Sequence, residues 1–224
     1  MELTAMAAWL NTFFAGYDRA ILGLMHNQAQ HAGSLLTPLM KLVTLLGEKG
    51  ILFFLAALVL MLFPRTRKIG VCLFGAVACG ALITNIILKD TVARPRPFEA
   101  LDLYRQWWTA IGSPAEDGFS FPSGHVTAAA AGMTALSLAH SRKWVLPGVL
   151  WVLLMAAARN YLMAHYPSDV LFAALIGLAS GFIAWAITKL IYRLCEEHDE
   201  LPLCDFILWF DLRELKPGGY KGKH

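Results

Sequence analysis

The strongest constraint on this chain is the spacing of its charges. Residues 50–64, 69–88, 122–139, 144–158 and 170–188 contain no Asp, Glu, Lys or Arg. The run Ile69–Leu88 is 20 residues long, about what a helix needs to cross the hydrocarbon of a bilayer. The 15-residue runs are short for a span. Flanking Lys49 and Arg159 extend them if those charges snorkel or face the protein interior. A large soluble helical core does not fit: charged residues make up 16% of the chain against roughly a quarter in soluble domains. So many apolar runs in 224 residues would leave too little polar surface. The expected fold is therefore all-α, a polytopic transmembrane helical bundle of about five to six membrane helices, with a polar loop on one face.

The formal charge of +3 is modest, and nothing in its distribution suggests nucleic-acid binding. Cys72, Cys79, Cys195 and Cys204 lack metal-ligand spacing. Cys72 and Cys79 lie in an apolar run and read as small hydrophobes. The N-terminus lacks the basic region, apolar core and small-residue cleavage site of a signal peptide. With no internal repeat, the chain reads as one domain, 1–224.

Residues 1–47 read as amphipathic or re-entrant helices. His26–Gly33 is too polar for a bilayer centre, and 34–46 is short. The transmembrane core is expected over 48–192, with spans at about 48–64, 69–88, 122–139, 144–163 and 167–191. The tail 193–224 is charged and expected to be solvated on the cytoplasmic side. The segment 89–121 is polar, and its Tyr104, Trp107 and Trp108 suit a membrane interface.

Alternating spans put the ends at 88, 122 and 165 on one face. The turns 64–68 and 140–143 fall on the other. Those turns carry Arg65, Arg67, Lys68, Arg142 and Lys143 without an acid, whereas 89–121 holds four bases and five acids. The positive-inside rule places the basic turns in the cytoplasm and the polar segment outside. The expected location is a cell membrane, multi-pass, with the functional face extracytoplasmic.

Three clusters share that face. In Lys89-Asp-Thr-Val-Ala-Arg94-Pro-Arg96-Pro97, two prolines fix the backbone beside two arginines. Pro122-Ser123-Gly124-His125 opens an apolar run. Pro122 at the first helical position would leave the amides of Ser123, Gly124 and His125 free for an anion. His125 adds a proton carrier. In Arg159…His165-Tyr-Pro-Ser-Asp169, Pro167 marks a helix start and Asp169 falls near its third position. There Asp169 can cap the helix and reach a nitrogen of His165. His125, His165 and Asp169 are metal-ligand types, but Lys89, Arg96 and Arg159 would repel a cation. The expected site therefore holds no metal and suits a phosphate, which arginine grips bidentately.

Together the clusters resemble the signature of the type 2 phosphatidic acid phosphatase superfamily: Lys, six residues, Arg-Pro; Pro-Ser-Gly-His; Ser-Arg, five residues, His, three residues, Asp. Of the two Arg-Pro pairs, only Arg96-Pro97 fits the spacing from Lys89. Ala158 stands where the pattern has Ser, which removes one hydroxyl donor. The resemblance implies a metal-independent phosphatase with no cofactor. His165 would be the nucleophile that forms a phosphohistidine, and Asp169 would hold its ring. His125 would protonate the leaving oxygen and then activate water. Lys89, Arg96, Ser123, Gly124 and Arg159 would bind the phosphate.

The implied partners are a phosphorylated lipid substrate and the surrounding membrane lipids. Undecaprenyl diphosphate ranks first, followed by phosphatidylglycerophosphate and phosphatidate. Competing readings are a phosphotransferase that passes the phosphate to another lipid, and a non-catalytic membrane protein. Glu99, Asp102, Glu116 and Asp117, with Trp107 and Trp108, either shape headgroup choice or merely solvate the loop, and the second is expected. Gly177 and Gly181 form a small-xxx-small pair for close helix packing, within the chain or between copies, so oligomeric state stays open.

Overall fold

The computed structural model describes residues 3–209, and these contain helices and connections but no strand. In chain order the helices are α1 (Ala5–Phe13), α2 (Ala15–Leu46), α3 (Ile51–Met61), α4 (Pro64–Ala81), α5 (Lys89–Val92), α6 (Pro97–Ala100), α7 (Asp102–Ala110), α8 (Gly124–Ala139), α9 (Val145–Tyr161), α10 (Pro167–Glu197) and α11 (Pro202–Trp209). A 3₁₀ turn, Glu48–Gly50, joins α2 to α3, and a π-helical stretch, Leu82–Leu88, extends α4. Four helical stretches are long and apolar enough to cross a membrane: Ala15–Met61, Pro64–Ala100, Arg142–Tyr161 and Pro167–Glu197.

Helix α8 is the axis of the bundle. Every residue from Val126 to Ala135 is buried, as expected for a helix apolar all round. It packs against α4, α9 and α10. Its Ala128–Gly132 stretch lets those helices approach closely. The opposing surface of α10 is small too: a Cβ on Gly177 would lie 2.5 Å from the Thr127 carbonyl oxygen, and one on Gly181 would lie 2.5 Å from Thr134 Cβ. The glycine pair therefore serves contact within the chain. The outward faces carry large apolar side chains, among them Leu146, Leu150 and Leu153 on α9 and Leu175, Leu178 and Phe182 on α10. In water such a surface would be costly; against lipid it is the solvent-matched face, and the architecture is a helical membrane bundle.

Several boundaries differ from expectation. His26–Gly33 lies within α2, and the helix is interrupted near the end of that stretch by a kink, where Ala32 takes φ −133° and ψ 19°; Pro38 follows. The polar side chains find partners there: His26 stacks on Trp107 with ring centroids 4.4 Å apart, and His31 Nδ1 lies 2.8 Å from the Asn27 carbonyl oxygen. The aromatic residues of α7 thus pack on protein. Trp108 stacks on Phe98 and donates through Nε1 to the Pro114 carbonyl at 3.1 Å. Pro122 precedes α8 instead of opening it; the N-cap is Ser123. Pro167 does occupy the first turn of α10.

The span ending α10 runs on to Glu197. Residues 202–209 then form α11 against α4, with Cys204 and Asp205 buried. Buried Arg67 ties the two together, donating to the Met61 carbonyl at 2.8 Å and the Ile207 carbonyl at 2.9 Å. In 193–209 most side chains are exposed, as expected of a solvated tail, and Cys195, Cys204 and Asp205 are its buried contacts; the remainder of that tail lies outside the described residues.

Gly177→Ala should lower the thermal unfolding midpoint in detergent by the equivalent of about 1–3 kcal/mol, because the new methyl meets backbone that cannot yield. A Leu178→Ala control on the lipid side should change it far less.

Candidate active site

The polar ends of α2, α4, α8, α9 and α10 meet at one pole of the bundle, together with the 93–123 connection. Its centre is Arg94. Its backbone is held by the Pro95–Pro97 register, and its guanidinium is fully buried. Nη1 donates to Asp169 Oδ1 at 2.5 Å and to Ser168 Oγ at 2.8 Å; Nη2 donates to Asp18 Oδ2 at 2.9 Å; Nε donates to Asn11 Oδ1 at 2.8 Å. The plane lies 3.8 Å over the Tyr166 ring. Asp18 returns to α10, accepting from the Ser168 amide at 2.8 Å. One arginine thus joins α1, α2 and α10.

Asp169 sits at the third position of α10, and its Oδ2 accepts from the Tyr166 amide at 2.9 Å, so it caps the helix. Oδ2 also accepts from Ser120 Oγ at 2.5 Å. His165 Nδ1 lies 3.9 Å from that carboxylate but only 2.6 Å from the Ser120 carbonyl oxygen. Asp169 was expected to hold the ring directly. It instead fixes Ser120, whose carbonyl takes the ring nitrogen. A carbonyl oxygen only accepts, so Nδ1 carries the proton and Nε2 keeps its lone pair. Burial, then the Arg159 and Arg96 cations, push the His165 pKa well below 6.5, which keeps the ring neutral near pH 7.

Beside His165 lies a cavity of about 410 Å³. Of the residues named from sequence, Lys89, Arg96, Gly124, His125, Arg159 and His165 line it. Ser123 is fully buried beneath the lining, and its Oγ has no hydrogen-bond partner among the described residues. Arg96 is oriented by three carbonyls, those of Gly118, Ala164 and Asp117, at 2.9, 2.8 and 2.7 Å. Arg159 is 1% exposed on its side chain and bonded through Nη2 alone; its Nε and Nη1 have no partner among the described residues. A buried guanidinium with free N–H groups is costly unless an anion occupies the space before it.

The lining also includes Glu48, Lys49, Glu116 and Asp117. Glu116 was expected to solvate the loop. Its carboxylate is instead inside, 3.2 Å from Arg96 Nη1 and 2.5 Å from Arg159 Nη2. His125 Nε2 lies 3.3 Å from Glu48 Oε2. Sequence reasoning passed over Arg94, Asp18, Ser120, Glu116 and Glu48. Only Arg94 had a local signal, its place between Ala93 and Pro95 in a rigid Arg-Pro-Arg-Pro string.

An all-helical membrane bundle with a buried Lys/Arg/His cavity at one pole defines the class of protein. The family model described as the PAP2 superfamily matches residues 69–193, and the chain belongs to that superfamily. It is 31% identical over 175 residues to undecaprenyl-diphosphatase BcrC of Bacillus subtilis, covering 77% of this chain and 83% of that protein. It is 31% identical over 126 residues to an undecaprenyl-diphosphatase of Sulfolobus acidocaldarius, covering 56% of this chain and 58% of that one. It is 32% identical over 109 residues to phosphatidylglycerophosphatase B of Haemophilus influenzae, covering 45% and 42%. No solved structure matches the chain.

Arg94→Met should cost about 3–5 kcal/mol of stability, since it strands two buried carboxylates; the readout is the unfolding midpoint in detergent. His165 adds a pH dependence. Its folded pKa is depressed, so below about 6.5 the unfolded chain binds a proton the folded chain refuses. Stability from this group is then lost as pH falls below about 6.5. His165→Asn should show a correspondingly smaller drop in midpoint across that range.

Proposed function

We propose that this chain is an integral-membrane lipid phosphatase that works through a phosphohistidine on His165. The observation that carries the reading is the state of that ring: neutral, anchored by Nδ1–H on the Ser120 carbonyl, and lining the same cavity as the unpartnered N–H groups of Arg159. Nε2 attacks phosphorus, and the bond to the leaving oxygen breaks. Lys89, Arg96 and Arg159 hold the phosphoryl oxygens with the backbone at Ser123 and Gly124, most strongly as charge builds in the transition state. His125 gives its proton to the leaving oxygen. It then takes one from the water that releases phosphate and returns the electron pair to His165. Asp169 acts through Ser120 and as the cap of α10. No step calls for a metal.

The pole position of the cavity suits a phosphate at headgroup level. The names of the Bacillus and Sulfolobus relatives favour undecaprenyl diphosphate as substrate. The name of the Haemophilus relative favours phosphatidylglycerophosphate as the second reading. The chain works as a single domain in a cell membrane. Its active face is extracytoplasmic, because Arg65, Lys68, Arg142 and Lys143 gather at the opposite pole.

The test is phosphate release by detergent-purified protein in EDTA from undecaprenyl diphosphate, phosphatidylglycerophosphate and phosphatidate. Release is expected, fastest on the diphosphate. His165→Ala should remove it by a factor of about 10³ or more, and Arg159→Ala by about 10² or more. Turnover that survives in His165→Ala would overturn the nucleophile. A labelled lipid product without free phosphate would make the protein a phosphotransferase.

A further inference from the structure

The turn Gly47-Glu48-Lys49-Gly50 belongs to none of the three clusters, yet it lines the cavity. It is a tight reversal. Lys49 has φ 47° and ψ 18°, and Gly50 has φ 71°. A non-glycine residue held in the left-handed region is strained and persists only where its surroundings impose it. Here the neighbours do so. A Cβ on Gly50 would lie 2.9 Å from Val77 Cγ1 and 3.0 Å from Ala128 Cβ. Ala128 is one helical turn after His125, so the reversal is pressed onto the start of α8. That contact brings Glu48 Oε2 to 3.3 Å from His125 Nε2. The Glu48 side chain is 39% exposed and that of His125 13% exposed.

The charges around His125 make this contact informative. Lys49 from the same turn, Lys89 from α5, Arg96 beside α6 and Arg159 from α9 all line the cavity with it. Glu116 and Asp117 line it too, but Glu116 is bonded to Arg96 and Arg159. A proton on His125 must therefore be held against four cations, and Glu48 is the carboxylate in contact with the ring.

We propose that Glu48 is the positioning residue for His125: it anchors Nε2 and stabilises the imidazolium that protonates the leaving oxygen. This rests on the acid–base reading of His125 given above. A protonated ring has two N–H groups. With Nε2–H on Glu48, the Nδ1 proton goes to the leaving oxygen as the P–O bond breaks. Nδ1 recovers a proton from the attacking water, so the cycle closes with no net proton change. Glu48 itself never exchanges a bond with substrate.

The consequence is a dependence on the leaving group. An alkoxide needs a proton to depart, whereas p-nitrophenolate departs without one. Glu48→Gln should therefore lower kcat by about tenfold or more on a short-chain phosphatidate, within the range of a general-acid contribution. On p-nitrophenyl phosphate it should lower kcat by less than about threefold, with KM little changed on both. Removing the carboxylate makes the imidazolium easier to deprotonate, so the alkaline limb of kcat on phosphatidate should move to lower pH. Equal losses on the two substrates, with an unmoved alkaline limb, would reduce Glu48 to a structural contact and overturn the proposal. Full activity on both would overturn it equally. The Glu48→Gln unfolding midpoint guards against misfolding, with Glu48→Asp as a second variant expected to restore part of the phosphatidate rate. His165→Ala runs alongside: if it keeps activity, the phosphohistidine reading fails; if it is silent while Glu48→Gln is normal, only the present proposal fails.

Discussion

A single buried guanidinium holds the functional pole together. Arg94 meets carboxylates from α2 and α10 and the amide oxygen of Asn11 on α1, with an aromatic face beneath it. Taking three charges out of water is expensive, and an apolar replacement of the whole cluster would match its stability. What such a cluster supplies is a fixed geometry: a fork of five donors accepts few arrangements of its partners. Here that geometry fixes Asp169, which fixes Ser120, which fixes the ring of His165. The tautomer of the residue proposed as nucleophile is therefore set by contacts that begin two helices away.

Arg96 and Arg159 have a different task, and their surroundings differ accordingly. Backbone carbonyls orient Arg96, and these neutral acceptors steer a guanidinium without cancelling its charge. Arg159 keeps two nitrogens, Nε and Nη1, without partners among the described residues. Glu116 spans the two arginines as a carboxylate does when it occupies an anion site. In the proposed reading a phosphate would take over the position between these cations that Glu116 now spans, so the arginines would already be aligned and the acid would give way. The bundle makes this arrangement affordable: α8, lined with alanine and glycine, brings its neighbours close enough to enclose the pole without bulky side chains intruding on it.

Much of the molecule was legible in the chain. Uncharged runs mark the apolar helices, because a polar group in lipid without a partner is too costly to keep. The three clusters name most of the cavity lining because backbone-fixing prolines and spaced charges are local features. Boundaries were read less well. His26–Gly33 looked like a break and does hold the kink at Ala32, but helix runs up to it and on from it, with His26 stacked on Trp107 and His31 bonded to the Asn27 carbonyl. The described part of the tail is mostly exposed, but it folds into α11, which Arg67 anchors by donating to the Ile207 carbonyl.

The sequence alone determined the class of fold and which histidines, lysines and arginines share a pole. Each follows from one-dimensional patterns: run length, charge placement, and the parity of successive spans. Only the tertiary structure decided which acid meets which base. Arg94 lies 75 residues from Asp169, Glu116 lies 43 from Arg159, and Glu48 lies 77 from His125. No local rule links such positions, because their pairing depends on how α2, the 93–123 connection and α10 dock around α8. That docking is set by the fit of glycine and alanine surfaces, a property of the assembled helices and not of any one of them.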